Sequence, residues 1–113
     1  MTADPHPPPS ASRPVVDGTV VDGHAVLVLS GEFHPHDARS LEERLTDPRL
    51  HAAGRWVLEL EDVTRLDLVC AFALMRTVSA LPRTTDVHIR GARRNVRRTL
   101  HEAGLDAVAV FDA

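Results

Sequence analysis

From Val15 to Phe111 the spacing of apolar residues switches repeatedly between a period of two and a period of about 3.6. That alternation limits the chain to sheets carrying helices. Val15-Val16-Asp17-Gly18-Thr19-Val20-Val21-Asp22-Gly23 is β-branched and punctuated by Asp-Gly, the composition of a short edge strand entering a hairpin. His24 to Gly31 is apolar on both faces, as expected of a central strand. Asp37 is placed to N-cap a helix with Ala38, Leu41 and Leu45 inward and Glu42, Glu43 and Arg44 outward. Trp56 to Glu61 alternates, with Trp56, Leu58 and Leu60 on one face. Leu68 to Leu81 is apolar, too long for a strand and stopped by Pro82, so it reads as a buried helix. Val87-His88-Ile89 is a short strand, Val96 to Ala103 a helix closed by Gly104 with Leu105 beyond it, and Ala107 to Phe111 a last strand. The order β-β-α-β-α-β-α-β predicts an α/β domain with a mixed, mostly parallel sheet and an antiparallel edge strand. Periodicity leaves the order of strands within the sheet open.

Length sets the scale: 113 residues are enough for one small domain with its own core. Five of the eight prolines fall in Met1–Pro14, so residues 1–14 read as a disordered, proline-rich tail ahead of a domain over 15–113. A net charge of −3 provides no field to recruit nucleic acid or an anionic membrane. The single cysteine, Cys70, excludes an internal disulfide, which suits a reducing, cytoplasmic setting. Neither a signal peptide nor an apolar run of the roughly 18 to 20 residues needed for membrane insertion is evident.

Three segments carry a resemblance. Leu29-Ser30-Gly31-Glu32-Phe33 resembles the "LxGELD" opening of STAS domains, the family of anti-sigma-factor antagonists and of stressosome and transporter STAS modules. Val57 to Asp67 resembles the family's "vvLDLsgVtfiDSSG" segment, and Val96 to Leu105 its "VrrvLeltGL" helix. They occur in family order and together span roughly residues 15 to 111. The resemblance implies a small STAS-like single domain that is not an enzyme, needs no cofactor, and binds a protein partner, such as an anti-sigma factor or a larger signalling assembly. In the antagonist branch a cognate kinase phosphorylates the second serine of "DSSG", at a helix N-terminus suited to phosphate, and phosphate blocks docking. Asp67 matches the aspartate, but Leu68 and Val69 occupy the serine positions and Cys70 the glycine position. Val69 has no hydroxyl, so the switch is degenerate there, and Thr64 is the nearest remaining hydroxyl. His34 stands where an acidic residue usually follows "GEL".

The turn into the long apolar helix is therefore the candidate partner-binding site: Asp67, Leu68, Val69, Cys70, Phe72 and Met75. Asp67 serves either as an N-cap alone or as a partner contact as well. Half of an all-apolar helix packs in the core; on the remaining half, an exposed apolar patch marks a partner or a homodimer surface. Cys70 reads as an inert thiol, although helix N-termini can activate cysteine. His34, His36 and Asp37 have metal-ligand spacing without a completing set, so they read as a polar loop. Arg90, Arg93, Arg94, Arg97 and Arg98 are clustered, but the absence of interleaved aromatics argues against nucleic acid. Glu59 and Glu61 fall on the outer face of their strand. No nucleophile elbow, phosphate loop or carboxylate pair suggests catalysis. Two other readings are a ligand- or nucleotide-sensing module with an anion near Asp67, and an accessory subunit of a lipid transporter.

Overall fold

The computed structural model describes residues 13–112. The tail expected over residues 1–14 lies, apart from Arg13 and Pro14, outside the described residues. Strand β1, Val15–Val21, turns at Asp22 and Gly23, both with positive φ, into β2, His24–Phe33. That conformation matches the right-handed twist of a two-residue hairpin. A 3-10 turn over Pro35–Asp37 leads into α1, Ala38–Leu45. Next come a short α2, Pro48–His51, and the longest strand, β3, Arg55–Leu66. Then follow α3, Leu68–Ser79; β4, Asp86–Arg90; α4, Arg94–Ala103; a 3-10 turn, Leu105–Ala107; and β5, Val110–Asp112.

The five strands lie in the order β1-β2-β3-β4-β5, with β1 antiparallel to β2 and all other neighbours parallel. Each crossover advances one place in the same direction, and right-handed crossovers then put the helices on a single face. Burial agrees. Ala25, Leu27 and Leu29, Trp56, Leu58 and Leu60, and Val87 and Ile89 are buried beneath the helices. The residues between them, Val26 and Val28, Val57 and Glu59, and His88 and Arg90, are half-buried or exposed on the opposite face. The expected fold class stands, and sequential strand order completes it.

β3 runs well past the expected end at Glu61, and the reason lies in its register. Val28 pairs with Glu59 but Ser30 with Asp62, and Gly31 pairs with Val63 but Glu32 with Arg65. At each irregularity β3 holds one residue more than β2, as at a β-bulge. The buried positions of β3 accordingly run 56, 58, 60, then 63 and 66. Each bulge shifts the inward phase, so Val63 and Leu66 still reach the core although simple alternation stops.

Two local corrections concern caps. Asp37 does not cap α1: its Oδ2 accepts the His34 N–H at 2.8 Å and closes the 3-10 turn. The unexpected α2 has Asp47 as its N-cap, accepting Arg49 N–H at 2.9 Å, with Pro48 at the first helical position. This turn satisfies the core's only indole, since Trp56 Nε1 donates to Leu50 O at 2.8 Å. The long apolar helix stops at Ser79, short of the expected Leu81, because Pro82 disfavours helical backbone before it. Gly104 ends α4 at φ 93° and Leu105 is fully buried, as expected.

The loop from β4 to α4 crosses β3 closely at Gly91. Its φ is 71°, and a Cβ there would sit 3.1 Å from Glu61 Cβ and 3.3 Å from Glu61 Cα and N. At Gly104 the nearest such contact is Met75 Cε at 3.8 Å. Gly104→Ala is therefore expected to cost about 1 kcal/mol, the left-handed penalty alone. Gly91→Ala should cost measurably more. Urea unfolding of the two variants checks the order, and equal or reversed midpoint shifts would contradict it.

Candidate functional site

The backbone around Asp67 is tied to two strands and one helix. Its N–H donates to Phe33 O at 2.9 Å, joining the ends of β2 and β3. Its carbonyl accepts Cys70 N–H and Ala71 N–H, both at 3.0 Å, to open α3. Its Oδ1 accepts Val69 N–H at 3.0 Å, so Asp67 is an N-cap with its negative charge at the positive end of the helix. The carboxylate occupies the place an incoming anion would take.

From this cap the helix divides its side chains by period. Cys70, Ala71, Ala73, Leu74, Thr77 and Val78 are buried. Leu68, Val69 and Phe72 remain 37%, 46% and 43% exposed, neighbours at i+3 and i+4 on the outer surface. Met75, one turn on, is half-buried near Gly104. The expected site thus comes together as Asp67, Leu68, Val69 and Phe72, with Met75 at its margin. Cys70 does not belong to the surface. It is 0% exposed, and its thiol donates to His34 O at 3.1 Å. Burial pushes the thiol pKa up to about 11, with the Asp37 and Asp67 carboxylates adding to the shift. Such a thiol is protonated and inert at neutral pH.

An ion pair bounds the patch towards the C-terminal end of α3. Arg76 donates Nε and Nη2 to Glu42 Oε2 and Oε1 at 3.0 and 2.9 Å, a two-pronged contact joining α3 to α1. The guanidinium holds the Glu42 carboxyl below its ordinary range. Glu42 on the outer face of the first helix and Arg76 in the otherwise apolar second are both visible in the sequence, but nothing there pairs them.

The remaining candidates have local roles. His34 Nε2 lies 3.1 Å from Glu32 Oε1, and the His34 and His36 rings stack with centroids 5.7 Å apart. Among the described residues, no group of three His, Cys, Asp or Glu side chains converges to hold a metal. Arg90 pairs with Glu59 at 3.4 Å and Asp112 at 3.6 Å. Arg93 Nε donates to Glu61 O, and Arg97 lies 5.2 Å from the Phe111 ring centre. Only Arg94 and Arg98 of that cluster point outward without such a contact among the described groups. Thr64 is exposed, its hydroxyl 3.4 Å from Gly31 O. No helix among the described residues is long and apolar enough to cross a membrane.

The family model STAS_2, described as "Mlab, STAS domain", matches residues 19–110. The chain belongs to the STAS family. Solved structures share the fold. An anti-sigma factor antagonist from Mycobacterium paratuberculosis is 24% identical with a TM-score of 0.77, the match covering 88% of this chain and 85% of that one. The anti-sigma factor antagonist SpoIIAA in its unphosphorylated form is 15% identical, with a TM-score of 0.65 and coverage of 88% and 89%. The protein TM1081 is 16% identical, with a TM-score of 0.69 and coverage of 99% and 90%. No curated protein matches the chain significantly. In this STAS domain, the position that the sequence resemblance equates with the phosphorylated serine is Val69, exposed on the first turn of α3.

Two measurements test the local chemistry. Asp67→Ala should lower stability by about 1 kcal/mol through loss of the cap, read by thermal or urea unfolding. The folded chain holds the Cys70 proton more tightly than the unfolded chain. Stability attributable to it is therefore intact below pH 9.0 and falls as pH rises towards about 11. Thiol reagents at neutral pH should label Cys70 only after denaturation. Rapid labelling of the native chain would contradict the burial.

Proposed function

We propose that this STAS domain is a non-enzymatic, cytoplasmic protein-interaction module of bacterial signalling that binds its partner through Leu68, Val69 and Phe72, with Asp67 and Met75 at the edges. The observation carrying this reading is the exposure of Leu68, Val69 and Phe72, three large apolar side chains side by side at the start of a helix whose inward face is buried in the core. An N-cap fixed by two strands presents that patch without an ordering cost at the moment of docking. The likeness to anti-sigma-factor antagonists supports a partner of the anti-sigma-factor kind or a larger signalling assembly.

Control by phosphate at this turn requires a hydroxyl where the chain has Val69. With an apolar side chain there, and the Asp67 carboxylate already at the helix terminus, docking is constitutive or governed elsewhere. The same carboxylate argues against a nucleotide or other anion binding at this helix end.

Capture from the native lysate, with Val69→Asp as the disrupted form, tests the reading. The wild-type chain should retain a partner that Val69→Asp loses while both keep the same unfolding midpoint. With that partner in hand, Phe72→Ala should weaken binding by about 1–3 kcal/mol, as truncation of a central apolar anchor does. Equal recovery of the partner by both forms would place the interface elsewhere. Incorporation of phosphate into the turn by a cognate kinase would overturn constitutive docking.

A further inference from the structure

No helix among the described residues covers the sheet face away from α1, α3 and α4, although parallel sheets are ordinarily covered on both faces. The registers arrange its side chains in rows that cross the strands. A middle row runs Thr19, Val26, Val57, His88, Val110. On one side lies the row Val21, His24, Arg55, Asp86, and on the other Asp17, Val28, Glu59, Arg90, Asp112. Val21, Val28 and Val110 are 58%, 42% and 53% exposed.

On β3 and β4 the charges reverse sign about the middle row, whereas Asp17, His24 and Asp112 have no oppositely charged counterpart in the facing row. On β3, the central strand, Arg55 and Glu59 stand two residues to either side of Val57; on β4, Asp86 and Arg90 flank His88 with the signs reversed. Within the chain they pair across the strands, Arg55 with Asp86 at 3.0 Å and Arg90 with Glu59 at 3.4 Å. His88 is held between Asp86 and Asp112, at 3.4 and 3.2 Å.

From this pattern we propose that a second copy of this chain covers the open face, related by a two-fold axis along the middle row. The rotation brings Arg55 opposite the second copy's Glu59 and Asp86 opposite its Arg90. Each cation then has acid beside it in its own sheet, Asp86 for Arg55 and Glu59 with Asp112 for Arg90, and one more across the interface. Val26 and Val57 meet their own counterparts at the axis, and Asp17 falls opposite Val21, beside the second copy's His24. Facing sheets lie about 10 Å apart and cross at about 30°, so pairs on the central strand stay closest to register. Opposite signs at Arg55 and Glu59 of one strand let the pattern complement itself when the face is turned over.

Five strands about 4.8 Å apart and three rows about 6.7 Å apart give a footprint on the order of 400 Å². That lies below the roughly 800 Å² per partner of a standard interface, so the dimer is small and reversible. It leaves the α3 surface free and does not rest on the docking reading above.

Sedimentation or light scattering of the full chain over rising concentration tests the proposal. The molar mass should climb from 12.4 kDa towards twice that value. Glu59→Arg should weaken association about tenfold or more, because the two-fold axis repeats each like-charge contact. A mixture of the Glu59→Arg and Arg55→Glu chains should associate more strongly than either variant alone, because the two-fold axis sets each substituted position opposite the other variant's. Val28→Asp, at an exposed position that leaves the core untouched, should also weaken it, whereas Val69→Asp should not. A chain monomeric throughout, or a dimer indifferent to Glu59→Arg and Val28→Asp, would overturn the proposal. Loss of the dimer in Val69→Asp would move self-association to α3, and failure of the mixed variants to associate more strongly than each alone would refute the two-fold pairing.

Discussion

Along its length β2 is hydrogen-bonded to β3, and β3 absorbs two extra residues before the strands end side by side at Phe33 and Leu66. Everything that follows in the chain depends on that ending. The Asp67 N–H closes on Phe33 O, the Asp67 carboxylate and carbonyl then open α3, and the first turn of α3 points outward from a fixed position. Without the bulges, Val63 and Leu66 would not both fall on the core side, and the helix would leave the sheet from a different height and face. The outer patch on α3 is thus set by sheet register as much as by helical period.

The same register accounts for what could be read in the sequence. Trp56, Leu58 and Leu60 kept strict alternation, so their shared face was legible; beyond Glu61 the bulges replaced a period of two by steps of three, and the strand was lost. Asp37 and Asp47 show the limits of cap signals. Both are acids next to helical segments, but Asp37 is used by a preceding 3-10 turn, whereas Asp47 with Pro48 opens a helix too short to have any period. At the site, Asp67 could be read as a cap because the chemistry is local. Cys70, expected at the partner surface, faces inward instead, since which residues of an all-apolar helix face inward is decided by the elements it packs against. The acceptor that holds the Cys70 thiol, His34 O, is thirty-six residues away.

Two surfaces of different chemistry result from sequential, one-directional strand order. On the helical side, the start of α3 presents three exposed apolar side chains, bounded by the Glu42–Arg76 pair. On the open side, Arg55 pairs with Asp86 and Arg90 with Glu59, with valines among them. The first suits a hydrophobic contact with a different protein, the second a face that repeats its own pattern. Because the sheet separates them, one surface can be occupied without obstructing the other.

Trp56 has a use beyond packing. It is the only tryptophan in a chain that has no tyrosine, it is completely buried, and its indole is held by the α2 turn and met edge-on by His51. Its fluorescence therefore originates from one known environment at the centre of the sheet, remote from the outer turn of α3. A partner landing on Phe72 should leave that emission unaltered, while loosening of α2 should redden it, giving an optical means of telling occupancy from unfolding in a single sample.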